Sequence, residues 1–197
     1  QPLKSAEDLN GLKIRFAGIG GKVLQRLGAS VTMIPSGEIF QALETGVIDA
    51  TEYAQPITDK ALGFSRIAKF NYFPGWHQPF STAHLVVNLD VWEGMTSSDQ
   101  SLLESSCLAS VMFNLSLTDT LQGPILKEFE NEGVSTLTLP PELLTKLRNT
   151  ANSVLDEEAS KDAFFKEMLS SQRAYQADYD RWRGLAYLPP SRQAAQN

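Results

Sequence analysis

Between Leu12 and Tyr53 short apolar runs alternate with helical patterns, and that alternation constrains the fold more than any other feature of the chain. "LKIRF" (12–16), "VTMIP" (31–35) and "VIDATEY" (47–53) read as strands, while "GKVLQRLG" (21–28) and "SGEIFQALETG" (36–46) read as helices. A βαβαβ order predicts a parallel sheet with flanking helices, because parallel neighbours need a crossover connection. The second helix has clear expected bounds: Ser36 as N-cap, Ile39, Phe40 and Leu43 on one face, and Gly46 as the stop.

After this block the pattern breaks. Pro56, Pro74, Gly75 and Pro79 punctuate the aromatic run "FNYFPGWHQPF" (70–80), which reads as a packed crossing segment. "AHLVVN" (83–88) reads as a further strand. The pattern is helical from Ser98 to Glu132, with an interruption expected near "TLQGP" (120–124), and "VSTLTL" (134–139) reads as a strand. "PPELLTKL" (140–147) opens a helix with proline in its first turn, and helical character runs on to about Gly184. The tail "SRQAAQN" is expected to fray. Cys107, with Leu103 and Val111 four residues to either side, reads as a small buried hydrophobe on a helix.

Charge excludes one class of partner. A net charge of −6 in 197 residues argues against nucleic acid, which needs a basic face to displace counterions. No apolar stretch reaches the length of a membrane span, and no basic patch followed by an apolar run marks a leader. Gln1 suggests either a mature form cut from a precursor or a truncated chain.

The glycines of "GIGGK" (18–22) invite a nucleotide reading. Val23 stands where a third fingerprint glycine belongs, and no Ser or Thr follows Lys22. A tight turn with close packing is the plainer account, although a helix N-terminus can still hold an anion. His77 and His84 show no metal-ligand spacing, and no catalytic constellation is visible. Ser36 fits a cap better than a nucleophile.

Arg15 carries more information. With period 2, Leu12, Ile14 and Phe16 share one face of the first strand, and Arg15 lies near its carboxyl end. Ligands of open parallel sheets bind beyond that end, and a guanidinium holds a carboxylate through two parallel hydrogen bonds. The third strand delivers Glu52 and Tyr53 to the same edge. Two readings stay open: a salt bridge between Arg15 and Glu52, or a site in which Glu52 holds a cation and Arg15 an organic acid. Trp76 is either a pocket wall or core.

Taken together, "GLKIR", "GEIFQALETGVIDATE" and "YFPGW" resemble the substrate-binding subunits of tripartite ATP-independent periplasmic (TRAP) transporters, the DctP-like family, over about residues 7–180. The similarity is strongest to the branch that binds 2-oxo and 2-hydroxy acids. The resemblance implies a periplasmic-binding-protein-like α/β fold of two lobes, here mainly the second lobe plus C-terminal helices, and no enzyme activity. It implies a periplasmic protein that captures a small monocarboxylate or dicarboxylate and delivers it to membrane subunits. The family arginine falls on Arg15, and the ligand-binding set on Arg15, Glu52, Tyr53 and Trp76. The cation-site positions fall on Glu52, the Tyr53 carbonyl and Gln78. Tyr53 stands where relatives usually have tryptophan, and Gln78 where many have glutamate. The missing charge implies either a preference for a monovalent ion such as sodium over calcium or weaker metal binding altogether.

The resemblance also divides the chain into 1–56 and 94–139 as parts of the second lobe, 57–93 as a crossing hinge with a strand belonging to the first lobe, and 140–197 as C-terminal helices. The helix "FFKEMLSSQRAYQADYDRW" (164–182) becomes a candidate homodimer contact. The family pattern has a further N-terminal stretch, so only half the cleft is in view. Two rivals remain: an α/β enzyme or phosphate-ligand binder using the "GIGGK" turn, and a structural or dimerisation fragment without ligand.

Overall fold

The computed structural model describes residues 2–78, 81 and 83–187, and the chain divides into two compact units, 1–148 and 149–197. The first unit contains the expected parallel sheet. Strand β1 (Lys13–Arg15) lies between β2 (Ser30–Thr32) and β3 (Ala50–Thr51), all parallel, with Ile14 opposite Val31 on one side and Ala50 on the other. The period-2 reading holds: Ile14 and Phe16 are buried, Lys13 is exposed and Arg15 is half-buried.

Helix α1 (Gly18–Arg26) provides the first crossover and buries Val23 and Leu24. It needs glycine where it does because a Cβ on Gly20 would strike the Phe16 ring, and one on Gly21 would crowd the Phe16 carbonyl and Val31. The close-packing account of "GIGGK" is therefore the structural one. A 3-10 turn, Ser36–Glu38, leads into helix α2 (Ile39–Glu44). Ser36 is not an N-cap: Pro35 precedes the turn and Glu38 the helix, and neither end has a side-chain cap. The 3-10 turn intervenes where the cap was expected. Gly46 does end the helix, at φ +71° with its N–H donating to the Leu43 carbonyl. Ile39, Ala42, Ile48 and Phe64 form a core cluster. Burying each large member is worth about 1.5–3 kcal/mol.

Part of the crossing segment is a strand. β4 (Phe70–Phe73) follows helix α3 (Pro56–Ala61) and pairs in parallel with β5 (Ser135–Thr138), Phe70 opposite Ser135. The aromatic density that suggested packing is strand propensity. Pro79 and Phe80, which closed the predicted segment, lie outside the described residues, as does the tail expected to fray. Residues 83–88 join no ladder, contrary to the strand expected there, since no described strand lies beside them to pair.

Helix α4 (Leu89–Glu93) is capped by Asn88, and α5 (Ser97–Asn131) by Thr96. No interruption occurs at 120–124; α5 continues through Pro124. An interior proline costs about 3 kcal/mol. Burial on both sides offsets it: Leu121, Ile125 and Phe129, at helical spacing, pack with Val134 and Ile57. Gln122 also accepts from the Ile57 N–H and donates to Gln55 Oε1. Cys107 is exposed rather than buried, because nothing described covers the middle of α5.

Helix α6 (Pro141–Lys161) begins at a proline and buries Leu143 and Leu147 in the first unit. In the second unit, α7 (Ala163–Ala186) is capped by Asp162, and Arg173 of α7 pairs with Asp156 of α6 at 2.7 Å.

Candidate ligand site at the sheet edge

The strand order β2–β1–β3 creates a switch point. From β1 the chain crosses to β2 on one side, then crosses back over β1 to β3 on the other. Crevices in open α/β sheets form outside the carboxyl ends at such points. Arg15 is the last residue of β1 and Glu52 follows β3, with the Glu52 N–H donating to the Arg15 carbonyl at 3.1 Å. The sequence reading placed both residues at this edge, and the structure brings them together.

Arg15 is held from three sides. Its Nη1 donates to the Glu52 carbonyl at 2.7 Å and to Glu52 Oε2 at 3.3 Å, while Nε donates to the Ile34 carbonyl at 3.4 Å. The guanidinium lies 5.6 Å from the Tyr53 ring centroid, a cation–π arrangement. Tyr53 in turn packs edge-on against the buried Phe64. Nη2 takes no part in these bonds. The arrangement orients a positive fork at the sheet edge.

Glu52 links two basic groups, with its Oε1 3.3 Å from His77 Nε2. Sequence reasoning missed His77, and no spacing signal could have found it; its partner is 25 positions away across the sheet. Phe16 contacts both the His77 ring, at 4.6 Å, and Trp76, at 5.9 Å. Phe16 thus carries the aromatic wall, and Gly20 leaves it room. Two buried atoms, His77 Nδ1 and Asp59 Oδ1, lack partners among the described residues. Burial pushes the Asp59 carboxyl up to about 6, against the Ala54 N–H, which favours its ionised form; the negative charge of Glu52 adds to the rise.

Gln78 is placed differently. It is exposed and donates from Nε2 to Ser81 Oγ at 2.9 Å. No described group of three or more His, Cys, Asp or Glu gathers as a metal cage. The donors available to a cation here are the Glu52 carboxylate and backbone carbonyls. Both Glu52 side-chain contacts, at 3.3 Å, are longer than tight charge-assisted bonds.

Comparison with known proteins places this chain in a family. The profile of the bacterial extracellular solute-binding protein family 7 (DctP) matches residues 1–162. A monocarboxylate 2-oxoacid-binding periplasmic protein from Nostoc sp. is 34% identical over 94% of this chain, which spans 51% of that protein. Among solved structures, a TRAP periplasmic solute-binding protein from Colwellia psychrerythraea with bound calcium and pyruvate is 32% identical, with a TM-score of 0.86 over 94% of this chain. One from Pseudoalteromonas atlantica with bound sodium and pyruvate is 31% identical, with a TM-score of 0.81 over the same share. The chain spans 57% of each of those two chains, about half to three-fifths of the length of the relatives it matches. No described helix is long and apolar enough to cross a membrane. The chain therefore belongs to the bacterial extracellular solute-binding protein family 7, a family of TRAP-transporter solute-binding proteins rather than enzymes.

Proposed function

We propose that this chain is the acid-capturing part of an extracytoplasmic TRAP solute-binding subunit, periplasmic in location, taking a 2-oxo or 2-hydroxy monocarboxylate. The observation that carries the reading is Arg15: a half-buried guanidinium fixed at the switch point by two backbone carbonyls, Glu52 and Ile34. The two carbonyls fix the guanidinium without neutralising it, whereas the Glu52 carboxylate pairs with it at 3.3 Å, so an incoming acid shares the guanidinium with Glu52. An incoming carboxylate takes the guanidinium in two parallel hydrogen bonds. Trp76, carried on Phe16, walls the apolar end of the acid.

A bound cation supplies positive charge for the ligand's second oxygen. Glu52 and the Tyr53 carbonyl are the groups that hold it, and Gln78 completes the set only by turning from Ser81. Sodium suits this low-charge set better than calcium. Enclosure by a facing lobe hides the acid from water, and membrane subunits then distinguish the loaded form, since ligand shifts populations only through differential affinity. Self-association runs through α7, whose Phe164, Met168, Tyr175 and Trp182 are exposed.

The test is a thermal-shift titration of the 197-residue chain with pyruvate, lactate and longer 2-oxo acids, each with and without sodium or calcium. A ligand selective for the native state raises the apparent Tm. Arg15→Ala should weaken binding by ~30-fold or more, the cost of truncating one partner of a desolvated charge pair. Unchanged affinity in a folded Arg15→Ala variant would remove Arg15 from the site.

A further inference from the structure

The guanidinium of Arg15 has a competitor beside it. A guanidinium and a carboxylate prefer to meet edge to edge, through two parallel hydrogen bonds of about 2.7–2.9 Å. Arg15 and Glu52 are close enough for such a fork and do not form it. Nη1 reaches Glu52 Oε2 at 3.3 Å, and Nη2 takes no part. A closed fork would occupy both terminal nitrogens and leave no open N–H edge for the carboxylate of a ligand.

The other oxygen of Glu52 accounts for the open fork. Oε1 lies 3.3 Å from His77 Nε2, so the carboxylate is suspended between two partners at equal distance. His77 Nδ1 is buried and has no partner among the described residues. A hydrogen there would find no acceptor, so the ring carries it on Nε2 and donates it to Glu52. The ring cannot follow Glu52 towards Arg15, because Phe16 packs edge-on against it at 4.6 Å and Trp76 at 5.4 Å. All three polar side chains are only 12–21% exposed, so water competes weakly for these bonds. We propose that His77 is a positioning residue: it holds Glu52 Oε1 and so prevents the carboxylate from closing a two-bond fork on Arg15, which leaves Nη2 open. His77 touches neither acid nor cation in this role and acts through Glu52. The inference rests on the reading of Arg15 as the acid's anchor, but its first test contains no ligand.

That test is a crystal structure of the ligand-free chain carrying His77→Phe, which keeps a ring against Phe16 and Trp76 and removes the N–H. Both Glu52 oxygens should then lie about 2.7–2.9 Å from Arg15 nitrogens, one of them on Nη2. His77→Leu takes its place if His77→Phe does not fold. A folded variant in which Glu52 keeps a single contact with Arg15 overturns the proposal. The second measurement is pyruvate affinity by calorimetry in sodium. His77→Phe should raise Kd about tenfold or more, while His77→Gln, whose amide N–H reaches the Nε2 position, should stay within about threefold of the parent. Added to Glu52→Gln, His77→Phe should raise Kd by less than about twofold, since the competing charge is gone. Equal losses in His77→Phe and His77→Gln, or an undiminished loss in the Glu52→Gln background, overturn the proposal by making the residue a packing element alone. A fork that closes in His77→Phe while the parent chain binds no pyruvate supports the hold on Glu52 and removes the acid reading instead.

Discussion

The carboxyl edge of the three-stranded sheet and the first two-thirds of α5 are opposite kinds of surface on one unit. At the sheet edge, Arg15, Glu52 and His77 are half-buried and hold one another, over a core in which Ile39 and Ile48 are fully covered. Along α5, side chains with the composition of a core face open space. Charged groups kept half-buried and oriented are prepared to meet a small ligand. Apolar groups left open are prepared to meet more protein. Exposure alone therefore does not mark the functional surface; the chemistry of what is exposed decides its partner.

The sharpest way to break this comparison uses two phenylalanines of the same helix. Phe129 is 2% exposed and Phe113 66%. Phe129→Ala should cost about 3–5 kcal/mol in urea unfolding, and Phe113→Ala less than about 0.5 kcal/mol in the chain alone. Equal effects would mean that α5 is covered along its whole length.

The next effect belongs to Asp59. Its folded pKa of about 6 lies above the ordinary 3.8, so the protonated form favours the fold. That contribution is full below about pH 4 and is lost as pH rises through about 6, amounting to roughly 3 kcal/mol at most. Asp59→Asn should raise stability at pH 7.5 by ~1–3 kcal/mol and change little at pH 4. Denaturant midpoints at the two pH values check the sign. Smaller again, Glu52→Gln should weaken pyruvate binding by about tenfold in sodium, near 1.4 kcal/mol, and remove most of the sodium dependence. The smallest change is Lys60→Ala, which breaks an exposed ion pair with Glu128 between α3 and α5. It should cost at most about 1 kcal/mol, and less in high salt.

The sheet and the Arg15–Glu52 pairing were legible because both depend on local periodicity and on one topological rule. β1 and β3 place their last residues side by side whatever surrounds them. His77 was not legible, since it reaches Glu52 only through tertiary packing, and neither was the burial of Asp59. The 83–88 segment was legible as a strand, yet it forms none here, because a strand needs a neighbour that propensity cannot supply. Pro124 misled in the opposite direction: packing by Ile125 and Phe129 overrides a local breaker. Cys107 was misread for the reason that makes α5 informative, since its helix has a core composition without a core around it.

The central claim is that the guanidinium of Arg15 is the carboxylate anchor. A crystal structure of the chain grown with pyruvate and sodium tests it most directly. The account predicts the pyruvate carboxylate at about 2.7–2.9 Å from the Arg15 guanidinium nitrogens, with Trp76 beside its methyl group. Pyruvate bound elsewhere, with Arg15 still paired to the Glu52 carboxylate, would contradict it.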